Sequence, residues 1–390
     1  MLNFPKDMAE EVLSRVPVTS MRKVRFACKS WNSLSKCRKF GKMHLGVAKA
    51  KNAKKSIVVL MMDYKVYLTS INLHDDKAQS SSCIEHEGKL NSLDNSYEVH
   101  VSQVFHCDGL LLCITKDHTK LVVWNPYLGQ TQWIDPTHTF PRLDFYLYAL
   151  GYDNRSRSYK ILRFIDVFCP TTFVETNIYD FNSASWRVLD VSPDGKVDYY
   201  DRGVSLKGNT YWFAKEKPSE TREGVDEEAF LVCFDFTREV FGPLLPLPFE
   251  WFVEDTATLS SVREEQLAVL FQRWDTSMLE IWITTNIEPN DVSWSTKCFL
   301  ALNMTPFTFS GFQFPVTAAS FFIDEEEKVA VVFDKIVLDE NGLYINPNRN
   351  LAYILGVDGS VKKAFLGDSQ YKHCYPLVCS YVPSLVQLNN

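Results

Sequence analysis

The cysteines and histidines are the residues of this sequence that could take part in the widest range of chemistry. The sequence has ten cysteines and eight histidines. Three pairs, Cys83–His86, His106–Cys107 and His373–Cys374, combine thiol and imidazole groups, the usual ligands of zinc. A structural zinc site needs two such pairs at regular spacing, whereas these pairs lie far apart and no CxxC motif occurs. The sequence therefore predicts free thiols, no metal centre and no cofactor.

Acidic residues adjacent to histidines in the sequence are weak evidence for a catalytic site. Asp117 precedes His118, and His86 stands between Glu85 and Glu87. Adjacent residues of a strand point to opposite faces, so sequence neighbours make poor catalytic dyads. The sequence also has no GxGxxG, GxxxxGK[ST], GxSxG or HExxH motif. We expect no enzyme, although an active site built from distant loops stays an alternative.

Charge is unevenly distributed along the chain. Residues 1–55 carry a net charge of +11, and the remaining residues carry −18. A basic end suits nucleic acid, an anionic surface or an acidic protein. A recognition helix for DNA would offer Arg, Asn or Gln to base edges, whereas the basic stretch here alternates with apolar residues. The acidic bulk of the chain would also repel phosphate, so we expect no nucleic-acid partner.

Length and composition are typical of a folded protein inside the cell. The 390 residues are 46% hydrophobic and 23% charged. No run of eighteen apolar residues occurs, and the first residues lack a basic flank followed by an apolar core. We therefore expect no membrane association and a location in the cytoplasm, the nucleus or both.

The first 45 residues are predicted to be helical. Between Lys6 and Val16 the apolar residues recur at the spacing of one helix face, and Pro17 ends that helix. A second helix follows from Met21, and a third, short one runs over residues 30–34. Residues 46–55 are predicted to form a basic linker.

Short β-rich runs follow from Ser56 onward, separated by turn residues. A unit with an aromatic strand recurs at Trp124, Tyr179, Phe234, Trp282 and Tyr353. A repeat near fifty residues with about four strands is typical of a β-propeller blade. With residues 57–72 as part of another unit, we expect about six blades. Residues 378–382 are predicted to close the ring against the first sheet.

Residues 4–34 resemble the F-box, a small helical docking module. The F-box pattern is LP-x-(D/E), then IL-x-R-LP, then a basic stretch ending in VCKSW. Phe4 and Val16 replace leucines of this pattern with other apolar residues. The residues at matching positions are Pro5, Asp7, Val12, Leu13, Arg15, Pro17, Arg25, Cys28, Lys29 and Trp31.

The remaining sequence is similar to the plant F-box-associated domain of type one, which in that family is taken to be a β-propeller. The pieces that carry this resemblance include HCDGLLLCI (106–114), LVVWNPYLGQTQWI (121–134) and YDFNSASWRVL (179–189). The two resemblances predict a small all-α F-box module of three helices followed by a large all-β domain. The predicted boundaries are 1–45 for the F-box, 46–55 for the linker and 56–390 for the propeller.

The resemblance implies a substrate-recognition subunit of an SCF-type (Skp–cullin–F-box) E3 ubiquitin ligase. In that family the F-box binds a Skp-family adaptor, which connects it to cullin and RING subunits, and the other domain captures a target protein. Pro5, Leu13 and Val16 are the expected anchors, with packing inside the helical module as the alternative for Leu13 and Val16. The full predicted adaptor-binding patch is Phe4, Pro5, Met8, Val12, Leu13, Val16 and Pro17.

The target-binding residues are less evident from the sequence. Propellers bind partners through loop aromatics on one ring face, although most aromatics serve packing between blades. The candidates are Tyr146, Tyr200, Trp251, Phe252 and Phe312. Two other functions stay open: a propeller lectin or small-molecule enzyme with a helical cap, and an F-box protein that regulates without a degradation target.

Overall fold

The computed structural model contains a helical N-terminal module followed by six β-sheets arranged as a propeller. It describes residues 6–17, 20–35, 37–51, 56–71, 84–89, 99–136, 146–168, 172–198, 201–217, 228–308, 312–315, 319–338, 344–371 and 374–388. The predicted fold class, a helical module and an all-β propeller of six blades, is confirmed. Within these residues no helix is long and apolar enough to cross a membrane.

The helical module has four helices within the described residues, one more than the sequence predicted. They are α1 (Lys6–Ser14), α2 (Met21–Ala27), α3 (Lys29–Ser35) and α4 (Arg38–Lys51). Helix α4 covers the first part of the stretch that we expected to be a linker. Its lysines and alanines are good helix formers. Phe40 and His44 lie one turn apart and form its buried face.

Each blade is an antiparallel sheet of four main strands. Blade 1 contains β1 (Ser56–Met62), β2 (Lys65–Ile71) and β3 (Ile84–Lys89). Blade 2 contains β4 (Val101–Cys107), β5 (Leu110–Thr115), β6 (Leu121–Asn125) and β7 (Gln130–Ile134). Blade 3 contains β8 (Leu147–Asp153), β9 (Ser158–Phe168), β10 (Thr172–Asp180) and β11 (Ser185–Leu189).

Blades 4 and 5 each have a short fifth strand. Blade 4 contains β12 (Val204–Leu206), β13 (Asn209–Lys215), β14 (Ala229–Asp235), β15 (Val240–Phe241) and β16 (Leu245–Pro246). Blade 5 contains β17 (Thr256–Val262), β18 (Gln266–Gln272), β19 (Met278–Glu288), β20 (Asp291–Trp294) and β21 (Leu300–Asn303). Blade 6 contains β22 (Ser320–Asp324), β23 (Val329–Leu338), β24 (Tyr344–Gly356) and β25 (Val361–Asp368).

The ring is closed by β26 (Leu377–Ser380), which pairs with β1 as the inner strand of blade 1. Leu60 lies opposite Val378 and Met61 lies opposite Leu377 in this antiparallel pair. The predicted closure by the tail strand is thus confirmed. Blade 1 thus combines strands from both ends of the propeller sequence. The edge of β1 that does not pair with β2 pairs with β26, so it is not open.

The apolar core lies between neighbouring blades. One cluster joins blades 5 and 6 through residues such as Leu270, Ile281 and Val332, all fully buried. Another joins blades 2 and 3, and a third joins blades 3 and 4 around Trp212 and Phe234. Side chains of one sheet face pack against the next sheet, so middle strands such as β5 and β6 are buried on both faces, whereas outer strands such as β11 are largely exposed.

Strand direction divides the propeller into two faces. The turns between first and second strands, and between third and fourth strands, share one face with the segment after β26. We call it the F-box face, because the helices pack there. The connections between blades and the turns between second and third strands share the opposite face, which we call the far face. In agreement, Gly109 of the β4–β5 turn lies against Val382 and Ser384, which follow β26.

Candidate functional site

The helical module shares its core with blade 2 of the propeller. Leu13 is 1% exposed and Phe40 is 1% exposed, and both pack in one cluster with Tyr127 and Leu128 of the β6–β7 turn. Leu385, after β26, packs against the same cluster. The four helices are too short to bury this much apolar surface by themselves, so the propeller completes their core.

Polar contacts give this shared core a defined geometry. Nε2 of His44 lies 2.7 Å from the carbonyl oxygen of Val16, and Nδ1 lies 2.9 Å from the hydroxyl of Tyr127. A carbonyl can only accept, so Nε2 carries the proton and Nδ1 accepts from the Tyr127 hydroxyl. Burial lowers the pKa of His44, which keeps the ring in this neutral form.

Arg25 of α2 also reaches the β6–β7 turn. Its guanidinium lies 5.4 Å from the ring centre of Tyr127, and its Nε donates to the hydroxyl of Ser35 at 3.0 Å. Burial lowers the pKa of Arg25 to about 10, so the group stays cationic at physiological pH. The tyrosine ring therefore receives a cation–π contact from one helix and a hydrogen-bonded histidine from another.

The turn that carries Tyr127 is held by the segment after β26. The Asn125 side chain donates to the carbonyl oxygens of Ser384 and Val386 and accepts from the backbone N–H of Leu128. The backbone N–H of Tyr127 donates to the hydroxyl of Tyr381 at 3.2 Å. The turn is thus held by bonds that do not involve the helices, and the helices pack on this braced turn.

The outward side of the helices presents apolar residues to solvent. Met8 and Val12 lie one turn apart on α1 and are 53% and 52% exposed. Phe26 and Met43 are also large and exposed, at 67% and 38%. Exposed apolar side chains at a helix spacing of four form a contiguous patch.

The five predicted adaptor-binding residues that the structure describes do not all lie on one surface. Met8, Val12 and Pro17 are exposed, Val16 is half-buried and Leu13 is buried toward Tyr127. Leu13 therefore packs internally, which was the stated alternative for it. Phe4 and Pro5 lie outside the described residues. The adaptor-binding role of the exposed residues stays a prediction. Phe26 was not on the predicted patch, although an aromatic residue inside a basic helix was a usable signal.

Most of the aromatics considered for target binding are packing residues. Tyr146, Trp251 and Phe312 are 1%, 8% and 4% exposed. Trp251 packs on Phe213, and Phe312 packs on Tyr353. Buried rings of this kind offer no surface to a partner. In this structure these three residues therefore cannot contact a target protein.

The remaining target candidate within the described residues is Phe252, which is half-buried beside Arg273. Two exposed apolar residues lie close to it in the fold, Val253 at 62% and Trp274 at 55%. Both belong to far-face connections, and Asp255 accepts hydrogen bonds from the backbone of Phe252 and Trp274. Sequence reasoning missed Trp274, although a tryptophan two residues after the end of the apolar strand β18 was a visible signal. Tyr200 lies outside the described residues.

One cluster of titratable groups lies where two turns meet the tail at the F-box face. His106 lies 3.7 Å from Glu264 and accepts a hydrogen bond from the backbone of Gly109. Burial lowers the pKa of His106 to about 4, and burial with the nearby Asp108 raises that of Glu264 to about 7. In the described part of the chain, no three His, Cys, Asp or Glu residues are grouped to hold a metal ion. We therefore assign this cluster to turn structure.

Comparisons with known proteins agree with this architecture. The family described as F-box associated beta propeller domain matches residues 57–388, and the F-box domain family matches residues 1–43. The putative F-box protein At3g24580 of Arabidopsis thaliana is 58% identical over 99% of both chains. The F-box protein At3g19470 of the same plant is 55% identical over the full length of both chains. The F-box/kelch-repeat protein At3g16740, also from Arabidopsis thaliana, is 53% identical over 99% of both chains.

Proposed function

Because the chain belongs to the plant F-box proteins that carry an F-box-associated β-propeller, we propose that it is the substrate-recognition subunit of an SCF-type E3 ubiquitin ligase. The observation that carries this proposal is the exposed apolar patch of Met8 and Val12 on a module fixed to the propeller. The helices bind a Skp-family adaptor, and the propeller binds a target protein through its far face.

Charge supports an acidic partner for the helices. Residues 1–55 carry a net charge of +11, and Lys23, Lys39 and Lys42 are exposed around the patch-bearing module. Protein interfaces commonly have an apolar centre and a charged rim. A basic rim attracts an acidic partner and speeds its association.

The fixed orientation of the module matters for a ligase that does no covalent chemistry itself. Such a subunit acts by raising the concentration of the target near the conjugating enzyme. A module joined to the ring through Tyr127 and His44 limits the volume that a captured target can explore. We also propose that the protein acts in the cytoplasm, the nucleus or both, where cullin-based ligases assemble.

The test is co-expression of the full chain with a Skp-family adaptor, followed by pull-down. The double substitution Met8→Asp/Val12→Asp places charge on the exposed patch and leaves the shared core intact. We expect adaptor binding to weaken at least about tenfold, equivalent to about 1.4 kcal/mol. Leu13→Asp is unsuitable because Leu13 is buried, and its loss of binding would reflect unfolding.

Val188→Asp is the matched control, since Val188 is 72% exposed on β11 of the propeller. We expect this variant to bind the adaptor as the unchanged chain does. Circular dichroism must show the same strand and helix content in all three proteins. A folded chain that binds no Skp-family adaptor contradicts the proposal. A chain that binds the adaptor but changes no target's turnover would instead be a regulatory F-box protein.

A further inference from the structure

Two segments of the far face meet beside blade 5 and expose apolar side chains. The connection from blade 4 to blade 5 (247–255) carries Phe252 and Val253, and the β18–β19 turn (273–277) carries Trp274. Val253 and Trp274 are each more than half exposed. Single exposed apolar residues are ordinary on a protein surface, whereas clustered ones mark an interaction surface. We call Phe252, Val253 and Trp274 the far-face patch.

The buried carboxylate of Asp255 brings these residues together. One of its oxygens accepts from the backbone N–H of Phe252 and the other accepts from that of Trp274, each at 3.0 Å. The side chain of Gln313, from the connection between blades 5 and 6, donates to the carbonyl oxygen of Glu254 at 2.6 Å. The patch is therefore held by bonds that need no partner, which lowers the cost of ordering it on binding.

Carboxylates surround the far-face patch. Its two segments contain four acidic residues and one basic residue, a net charge of −3. Glu250, Glu254 and Asp275 are exposed, whereas the guanidinium of Arg273 donates two hydrogen bonds to Asp275 at 3.0 Å. The Asp275 carboxylate raises the pKa of Arg273, with smaller contributions from Asp255 and Glu250. The acids of both segments thus lie near one cation, which Asp275 already neutralises.

The charges of Glu250 and Glu254 are left for a partner. In the part of the chain that the structure describes, no lysine or arginine forms an ion pair with either of them. The neighbouring connection, residues 304–319, contains no charged residue. The propeller sequence as a whole, residues 56–390, has a net charge of −18. Charge complementarity therefore favours a positively charged partner at this surface.

The same charges disfavour other occupants of the far-face patch. The phosphates of a nucleic acid or of an anionic lipid surface would be repelled by Glu250 and Glu254. A second copy of this chain that bound through the same surface would place these carboxylates against their own counterparts. A basic segment of another protein meets neither obstacle.

We propose that the far-face patch binds a basic segment of a target protein. An apolar or aromatic residue of that segment packs on Trp274 and Val253, and flanking lysines or arginines pair with Glu250 and Glu254. This inference rests on the proposed function, since it gives the chemistry of the target that the propeller captures. The far face is opposite the helices, so this contact does not compete with the adaptor for surface.

The experiment is selection of a random peptide library, displayed on phage, against the immobilised full chain. We expect enriched peptides that combine a large apolar residue with flanking lysines or arginines. As synthetic peptides they should bind with saturation, and their affinity should fall as salt is raised. Trp274→Ala should weaken this binding at least about tenfold, because it removes the apolar anchor. Glu250→Lys/Glu254→Lys should weaken it by a similar factor through charge repulsion.

Each variant has a matched control away from the patch. Glu265→Lys/Glu326→Lys reverses two exposed charges in the β17–β18 and β22–β23 turns of the F-box face. Phe365→Ala removes an aromatic ring that is 41% exposed on β25. Both controls should bind the selected peptides as the unchanged chain does. Circular dichroism must show the same strand and helix content in all variants.

The outcomes separate this proposal from the ligase function. It is overturned if no basic peptide is enriched, or if folded Trp274→Ala binds the basic peptides as the unchanged chain does. If Trp274→Ala does not fold, the comparison of the two charge-reversed variants decides. A dimer of the unchanged chain that Trp274→Ala dissociates in sedimentation would also overturn it. Pull-down with the Skp-family adaptor is run in parallel, and its failure beside intact peptide binding would count against the ligase function alone.

Discussion

The hydroxyl of Tyr127, in a turn of the propeller, donates to Nδ1 of His44 on α4 at 2.9 Å. This bond crosses the boundary between the two parts of the chain, and both residues are fully buried. The opposite nitrogen of the same ring donates to the carbonyl of Val16. One imidazole therefore joins α4, the turn that follows α1, and blade 2.

Tyr127→Phe should destabilise the protein by about 1–2 kcal/mol, because Nδ1 of His44 would lose its donor inside the shared core. Urea unfolding monitored by circular dichroism measures this change. Tyr152→Phe is the control: Tyr152 is half-buried and its contact is ring packing on Tyr159, so a change within about 0.5 kcal/mol is expected. Equal effects of the two substitutions would argue against the bond to His44.

Acid should weaken the same contact. The pKa of His44 is lowered in the folded chain, so its contribution to stability is complete above the unfolded value of 6.5. As the pH falls below 6.5 the unfolded state takes up the proton first, and the contribution is lost through the folded pKa. The stability difference between the unchanged chain and His44→Gln should therefore shrink from pH 7.5 to 5.5. Urea titrations of both proteins at the two pH values measure it, and a constant difference would contradict the assignment.

Gly109 should tolerate no side chain. Its φ of +74° is left-handed, and a Cβ there would lie 2.3 Å from the carbonyl oxygen of Val382. Gly109→Ala therefore combines backbone strain with a clash against main chain, and we expect a loss of about 3 kcal/mol. Gly359→Ala isolates the strain, since Gly359 has a φ of +84° and open space around it. That variant should lose only about 1 kcal/mol, and thermal unfolding compares the two. Similar losses would mean that the tail is not packed on this turn.

Closure of the ring should depend on β26. Val378 is 3% exposed and faces the core from the strand opposite Leu60. Val378→Asp buries an unpaired carboxylate and should cost at least about 3 kcal/mol, measured by chemical unfolding. Val382→Asp, just beyond the strand and 45% exposed, should change stability by no more than about 0.5 kcal/mol. A tolerated aspartate at 378 would show that the pairing with β1 does not hold the ring.

The repeat of aromatic strands was sufficient to predict the blades, for a physical reason. Trp124, Tyr179, Phe234, Trp282 and Tyr353 all lie in the third main strand of their blades. Strands and turns are set by local residues, so a period near fifty residues is visible without tertiary information. The blade that combines β1 with β26 was inferred as a partial unit with a closing tail, and the structure confirms both.

The orientation of the helices was not accessible in the same way. The side of α1 that holds Leu13 is buried because Tyr127 and Leu385, far away in sequence, cover it. Helical spacing identifies an apolar face but not what packs against it. For the same reason the last part of α4, residues 46–51, was predicted to be linker, since the buried face of this helix at Phe40 and His44 packs on Tyr127 of the propeller. The far-face residue Trp274 follows no periodic pattern, so only its exposure in the fold distinguishes it.

The pairing of β26 with β1 also determines when the propeller can close during synthesis on the ribosome. Blade 1 is begun by β1 but is completed only when β26 has emerged, after every other described strand. The helices leave the ribosome still earlier, and their inner face is covered only once Tyr127 and then Leu385 have been made. A chain cut short before β26 would therefore carry an open sheet edge and an uncovered helical module, which chaperones and proteases recognise as incomplete.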